Sequence, residues 1–211
     1  MVVSVIYLSG CVRDDLPPDI GVMLTPMMGN KLPPDRLWAA DTGCFAKPEK
    51  HNDDRYVKWL RERSEESHRC LFATAPDVRP EFSSSPAQDT ITRSLPMFSR
   101  IRNAGFLAAL VAQDGLERSD VPWDEFDALF IGGSTEWKLG EAATQLIRTA
   151  NALGKWTHSG RVNSLRRWRH VQWQGCRSAD GTYIAFGPDA NIPKVVRWLD
   201  TINRQPMIPG L

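Results

Sequence analysis

The sequence has no CxxC pair and no clustering of cysteine with histidine. Cys11, Cys44, Cys70 and Cys176 stand singly, and so do His51, His68, His158 and His170. A structural zinc site draws on ligand pairs a few residues apart, because short loops preset the tetrahedron, so no metal is expected. No apolar run approaches the roughly 20 residues of a membrane span, and no membrane partner is expected. The opening MVVSVIYLSG has no basic leader and predicts a first buried strand rather than a signal peptide. With scattered thiols, that places the protein in the cytoplasm, where cysteines stay reduced. There is no GxSxG elbow, no Walker loop, no GxGxxG turn and no Ser-His-Asp order, which removes the commonest hydrolase, nucleotide-phosphate and dinucleotide sites. Charge of one sign is not in excess either: 26 Lys+Arg against 25 Asp+Glu give +1, which by itself argues against a nucleic-acid partner.

What is present is a chain of 211 residues, 42% apolar, long enough to bury a core as one domain. Short apolar runs recur at residues 3–8, 21–24, 37–40, 70–75, 107–112, 128–131, 155–158 and 178–184. Parallel strands buried on both faces read in this way, apolar without alternation. Helical periodicity fills many of the gaps, at residues 53–67, 90–104, 141–153, 164–173 and 192–202, and Gly105, Gly154 and Gly175 stand where C-cap glycines belong. Strand–helix alternation with eight candidate strands predicts an α/β fold, a compact TIM-like (β/α)8 barrel, with a doubly wound open sheet as the alternative. Pro17, Pro18, Pro26, Pro33 and Pro34 force loops between the first strands, so the barrel is expected to be irregular or incomplete there. Residues 1–204 read as a single domain and 205–211 as a C-terminal tail.

The informative residues follow the apolar runs. WAADTG leads to Asp41, FATAPD to Asp77, ALVAQDG to Gln113, LFIGGSTE to Gly132, Gly133, Ser134 and Glu136, WTHSGR to Ser159 and Arg161, and CRSADGT to Asp180. Ligands of parallel α/β folds bind beyond the carboxyl ends of the strands, so these residues should meet at one mouth. Each could serve only as a turn-former or helix cap, but a rim with three carboxylates and a carboxamide exceeds what capping requires. Asp114, Asp120, Asp124 and Asp127 read as loop and capping residues. A carboxylate pair supports nucleophilic and acid–base work at a sugar anomeric carbon, while a Gln, an Asp and a Gly-Gly turn can read the edge of a flat heterocycle.

The balanced net charge is uneven along the chain. Residues 142–179 hold Arg148, Lys155, Arg161, Arg166, Arg167, Arg169 and Arg177 and no acid, so +1 divides into +7 here and −6 elsewhere. Arg166, Arg167 and Arg169 share a predicted helix with Trp168 and Trp173, beside the last strand. Such residues contact phosphates and stack on unpaired bases, although a solvated helix face over core tryptophans has the same composition.

In order and spacing the motifs resemble the tRNA-guanine transglycosylases over roughly residues 37–185. ADTGCF is similar to that family's ADSGGF-type segment, with Thr42 and Cys44 as departures. APD, VAQDG and FIGGSTE follow in the order of its substrate-aspartate, base-reading Gln and Gly-Gly segments, and GRVNS and GCRSADGT resemble its glycine turn and nucleophile region. The resemblance implies Asp180 as nucleophile and Asp41 as general acid/base. It implies Asp77, Gln113, Gly132 and Gly133, with Ser134 and Glu136, as substrate-binding residues for guanine or a 7-deazaguanine base such as preQ0. His158, Ser159 and Arg161 would line the sugar-phosphate side, with Arg161, Arg166, Arg167 and Arg169 on the nucleic acid. The family's cysteine-rich zinc subdomain has no counterpart, so the resemblance is to the short phage-type DNA 7-deazaguanine transglycosylases. It implies DNA as the partner (tRNA as the alternative), no cofactor, room for a partner protein, and a bacterial or phage-infected cell. A nucleoside or base N-glycosyl hydrolase and a non-catalytic nucleic-acid-binding subunit are the readings from other classes.

Overall fold

The computed structural model describes residues 5–29 and 31–204, so the expected tail at 205–211 lies outside the described residues. Eight parallel strands close into a barrel in sequence order: β1 (Ile6–Ser9), β2 (Ile20–Leu24), β3 (Trp38–Ala40), β4 (Cys70–Thr74), β5 (Ala108–Ala112), β6 (Ala128–Ile131), β7 (Trp156–Ser159) and β8 (Ser178–Gly181). β8 returns to β1 with Leu8 opposite Asp180, which closes the ring and excludes the open sheet. Each strand overlaps one of the eight apolar runs. The fold is a TIM-like α/β barrel.

The helices are α1 (Asp53–Arg61), α2 (Pro86–Arg102), α3 (Thr135–Lys138), α4 (Glu141–Ala152), α5 (Leu165–Gln174) and α6 (Pro188–Arg204). β1–β2, β2–β3 and β5–β6 are joined without an α-helix, so the irregularity lies where the prolines foretell it and in one further connection. α1 is shorter than its periodicity suggests, giving way to a 3-10 segment at Ser64–Arg69. α2 and α6 begin earlier than expected because Pro86 and Pro188 occupy first-turn positions, where a missing N–H costs nothing. Gly105, Gly154 and Gly175 all have positive φ at the helix ends. No helix among the described residues is long and apolar enough to cross a membrane.

Two apolar layers result. One lies between strands and helices, where Tyr7 and Trp168 meet with ring centroids 5.1 Å apart. The other fills the barrel: Leu8, Met23, Ala39, Phe72, Ala109 and Ala128 are buried, with Phe130 against them. The inward alanines make room for a plug of Phe72, Phe130 and His158, whose ring centroids are 4.6 to 6.0 Å apart. Among the described residues this plug fills the barrel interior below the carboxyl ends of the strands, where ligands of such barrels bind.

Candidate active site

Above the aromatic plug lies a cavity of about 130 Å³, walled by Asp41, Asp77, Gln113, Gly132, Gly133 and Asp180 together with Phe45, Thr74, Val111, Phe130 and Gly160. Roughly that volume in a barrel core holds one small aromatic ring system. Larger grooves of about 610 Å³ between α5 and α6, and of about 550 Å³ beside the loop after β3, lie off the barrel mouth.

On one wall, Asp41 leaves β3 and its Oδ1 accepts from the Gly43 N–H at 3.2 Å and from Thr74 Oγ1 at 3.2 Å. Burial, with the neighbouring Asp77 and Asp180 charges, raises its pKa to about 6; the Gly43 and Thr74 hydrogen bonds oppose the rise. Asp41 can thus hold or release a proton near neutrality. Asp77 is buried, and burial pushes its carboxyl up, against the pull of its donors. Its Oδ2 accepts from Gln113 Nε2 at 2.6 Å and its Oδ1 from Cys44 Sγ at 3.0 Å. Burial also pushes the Cys44 thiol well up, so it keeps the proton it donates. An acceptor-only carboxylate requires the amide nitrogen of Gln113 to face it, which orients the Gln113 carbonyl oxygen as a free acceptor.

The Gly132-Gly133 turn closes the next wall. A Cβ on Gly132 would stand 2.9 Å from Val111 Cγ1 and 3.0 Å from the Ala112 carbonyl oxygen, and Gly133 has φ +35°. The Gly132 N–H donates to Ala112 at 2.9 Å, whereas that of Gly133 has no acceptor among the described residues. Arg161, at φ +60°, binds both turn carbonyls, Gly132 and Gly133, with one guanidinium nitrogen.

Asp180 stands opposite on β8, backed by His158. His158 Nε2 lies 3.0 Å from Asp180 Oδ1, and its Nδ1 lies 2.8 Å from Ser178 Oγ, which accepts the Trp156 indole N–H at 2.8 Å. A single sense of donation fits: indole to hydroxyl, hydroxyl to Nδ1, Nε2–H to carboxylate. Burial lowers the His158 pKa despite the Asp180 bond, so the ring is a neutral donor. It is a positioning residue. His158→Gln is expected to slow any reaction of Asp180 by about ten- to a hundredfold through lost alignment, with KM little changed. An unchanged kcat, measured with a circular-dichroism check of folding, would show that the hydrogen bond orients nothing.

The structure thus brings Asp41, Asp77, Gln113, Gly132, Gly133, Arg161 and Asp180 together. It does not bring in Ser134 and Glu136, which are exposed on the short α3; Ser134 caps that helix, accepting the Trp137 N–H at 3.2 Å, while its own N–H donates to Asp114 at 2.6 Å. His158 and Ser159 do not line an outer sugar-phosphate face. His158 is fully buried behind Asp180, and Ser159, one residue on, faces the helix layer. Arg166 and Arg169 are exposed and Arg167 half-buried, yet all three line the α5–α6 groove, away from the cavity. Trp168 is core, its indole N–H donating to the Val162 carbonyl at 3.2 Å, and cannot stack on a base.

Lys138 escapes a reading of the sequence. Its ammonium is buried, donates to the Gly160 carbonyl at 2.7 Å, and has its pKa lowered to about 8 by burial and by Arg161. One lysine in an amphipathic helix gives no sign that it points inward. No group of three His, Cys, Asp or Glu among the described residues could hold a metal ion.

No family model matches the chain, and no curated protein matches it. Solved structures that resemble it include tryptophan synthase from M. tuberculosis, at 12% identity and a TM-score of 0.46, covering 78% of this chain and 59% of that one. The Bacillus subtilis YkuI protein, with an EAL domain, in complex with c-di-GMP and calcium, matches at 12% identity and a TM-score of 0.42, covering 90% and 45%. The Amycolatopsis orientalis BexX/CysO complex gives 12% identity and a TM-score of 0.35, covering 99% and 95%. The chain spans about three-fifths of the tryptophan synthase chain it matches. The barrel assignment rests on strand pairing, and no activity is carried over from these neighbours.

Proposed function

We propose that the protein is a guanine transglycosylase, exchanging guanine in DNA for a free 7-deazaguanine base. The observation that carries this reading is the placing of Asp41 and Asp180 on one small cavity whose remaining polar groups match guanine. Guanine presents N1–H and a 2-amino group as donors and O6 as an acceptor. The Asp77 carboxylate and the Gln113 carbonyl are acceptors, and the Gly133 N–H is a donor. Adenine presents the opposite pattern along that edge and would leave buried groups unpaired.

The Asp180 carboxylate attacks C1′ as the C1′–N9 bond breaks, forming a glycosyl ester, and protonated Asp41 supplies the proton the departing guanine needs. The incoming base then forms its own N9–C1′ bond as the ester breaks, and its N9 proton passes to Asp41. Two inversions give retention, and each half-reaction restores what the other used. The cavity admits a base and not a duplex, so the target guanine must be flipped or unpaired.

The test is incorporation of labelled guanine or preQ0 into duplex DNA, single-stranded DNA and tRNA in separate incubations. Label is expected in DNA. Label in tRNA alone would reassign the acceptor, release of guanine without uptake would make the protein a hydrolase, and neither would leave a binding subunit.

A further inference from the structure

The cavity does not end at its lining. From Phe45, whose ring forms part of the wall, a row of alternating aromatic and cationic groups runs outward over the loops that follow β3 and β4. The Arg79 guanidinium carbon lies 5.4 Å from the ring centroid of Phe45 and 5.4 Å from that of Phe82, so one planar cation bridges the two rings. Arg161 lies 5.6 Å from the Phe45 centroid on the cavity side. Phe82 ends the row, 68% exposed in the 3-10 turn Pro80–Phe82. Single exposed apolar rings are common on protein surfaces, but this one lies in line with the Arg79 and Phe45 groups that lead into the candidate site.

From this row we infer a second binding site: Phe82 and Arg79 form a stacking platform for an unpaired nucleotide beside the one whose base enters the cavity. The inference rests on the base-exchange reading and extends it to the neighbouring nucleotide. Rings and guanidinium planes in alternation offer flat faces at which a nucleobase can stack without regard to its identity, and cationic edges to which a phosphate is drawn. A protein partner is disfavoured by the surroundings. Phe82 stands among exposed Glu81, Ser84 and Ser85, so it belongs to no contiguous apolar patch of the kind protein interfaces use. Arg79 is held by Glu81, with Nη2–Oε1 3.2 Å and Nε–Oε2 3.3 Å, which fixes the guanidinium plane and offsets part of its charge.

The experiment uses the full chain and single-stranded oligonucleotides, deoxy and ribo, each with one guanine flanked by bases or by abasic sites. Binding is read by fluorescence anisotropy and exchange by label uptake. Wild-type protein is expected to bind the base-flanked strand about tenfold tighter than the abasic one. Phe82→Ala should erase that difference, raising KM about tenfold while kcat at saturation holds. Phe82→Trp should keep the difference and Phe82→Leu lose it, which separates stacking from apolar burial. Glu81→Gln, by releasing Arg79 charge, should tighten both strands. Exchange that persists while Phe82→Ala and the abasic flank leave affinity unchanged would overturn the platform and spare the base-exchange reading. Failure of the wild-type protein to bind or exchange on any strand would remove that reading, and the platform with it.

Discussion

Asp180→Asn is expected to reduce base exchange by at least about 10⁴-fold and to abolish any covalent protein–nucleic-acid adduct, because the amide cannot form the glycosyl ester. The geometry makes this a clean substitution. Asparagine has the shape of aspartate, and its side-chain oxygen can still accept from His158 Nε2, so the 3.0 Å contact is retained. The Leu8–Asp180 pairing that closes the barrel uses backbone and does not depend on the carboxylate. Folding should therefore survive while the nucleophile is lost. The measurement is a denaturing gel of enzyme incubated with a labelled strand but no incoming base. Wild-type protein should show a shifted band, and D180N none. A shifted band in D180N that vanishes in Asp41→Asn would exchange the two roles.

How much of this could be read beforehand depends on what each residue's neighbours are. Asp41, Asp77 and Gln113 are legible because each follows an apolar run, and Asp180 because it stands within the last one; in a parallel barrel every such run ends at the same face. The rest of the lining is written in the same pattern at a finer grain. Val111 stands two before Gln113, Phe130 two before Gly132, and Ser178 and His158 share the inward parity of Asp180 and Gly160, so alternation along the strands would have placed them in the interior. Ser159, expected with His158, fails that parity test.

Other features resist a reading of the chain. Cys44 meets Asp77 only because two loops converge across 33 positions, and no local pattern encodes that approach. Arg161 holds a left-handed backbone while it grips the Gly132-Gly133 carbonyls, and nothing in its local sequence marks either feature. The arginine block of α5 is a true feature of composition, but composition gives no direction, and the helix turns those side chains toward α6. The stacking row that leads out of the cavity is likewise invisible in sequence, since Phe45 comes from the loop after β3 and Arg79 and Phe82 from the loop after β4.

Asp41→Asn should separate activity from stability in opposite directions. For activity, the residue moves a proton in both half-reactions, so its loss should cost about 10²- to 10⁴-fold in exchange. In the wild-type protein, kcat/KM for the nucleic acid should fall as pH rises through about 6, because the first half-reaction needs Asp41 protonated. For stability the sign is reversed. The unfolded chain releases this proton near its ordinary value of 3.8, while the folded protein retains it to about 6. Between those values the folded state binds more protons, so wild-type stability falls as pH rises through the window and stays lowered above it. A shift of roughly two units corresponds to about 3 kcal/mol, and weaker acceptance of the Gly43 and Thr74 bonds by an amide trims the gain to about 2 kcal/mol. D41N should therefore melt about 4–8 °C above wild type at pH 7.5 and level with it at pH 4. Equal melting temperatures at pH 7.5 would mean that Asp41 carries no raised pKa, and the acid half of the proposed chemistry would then need another residue.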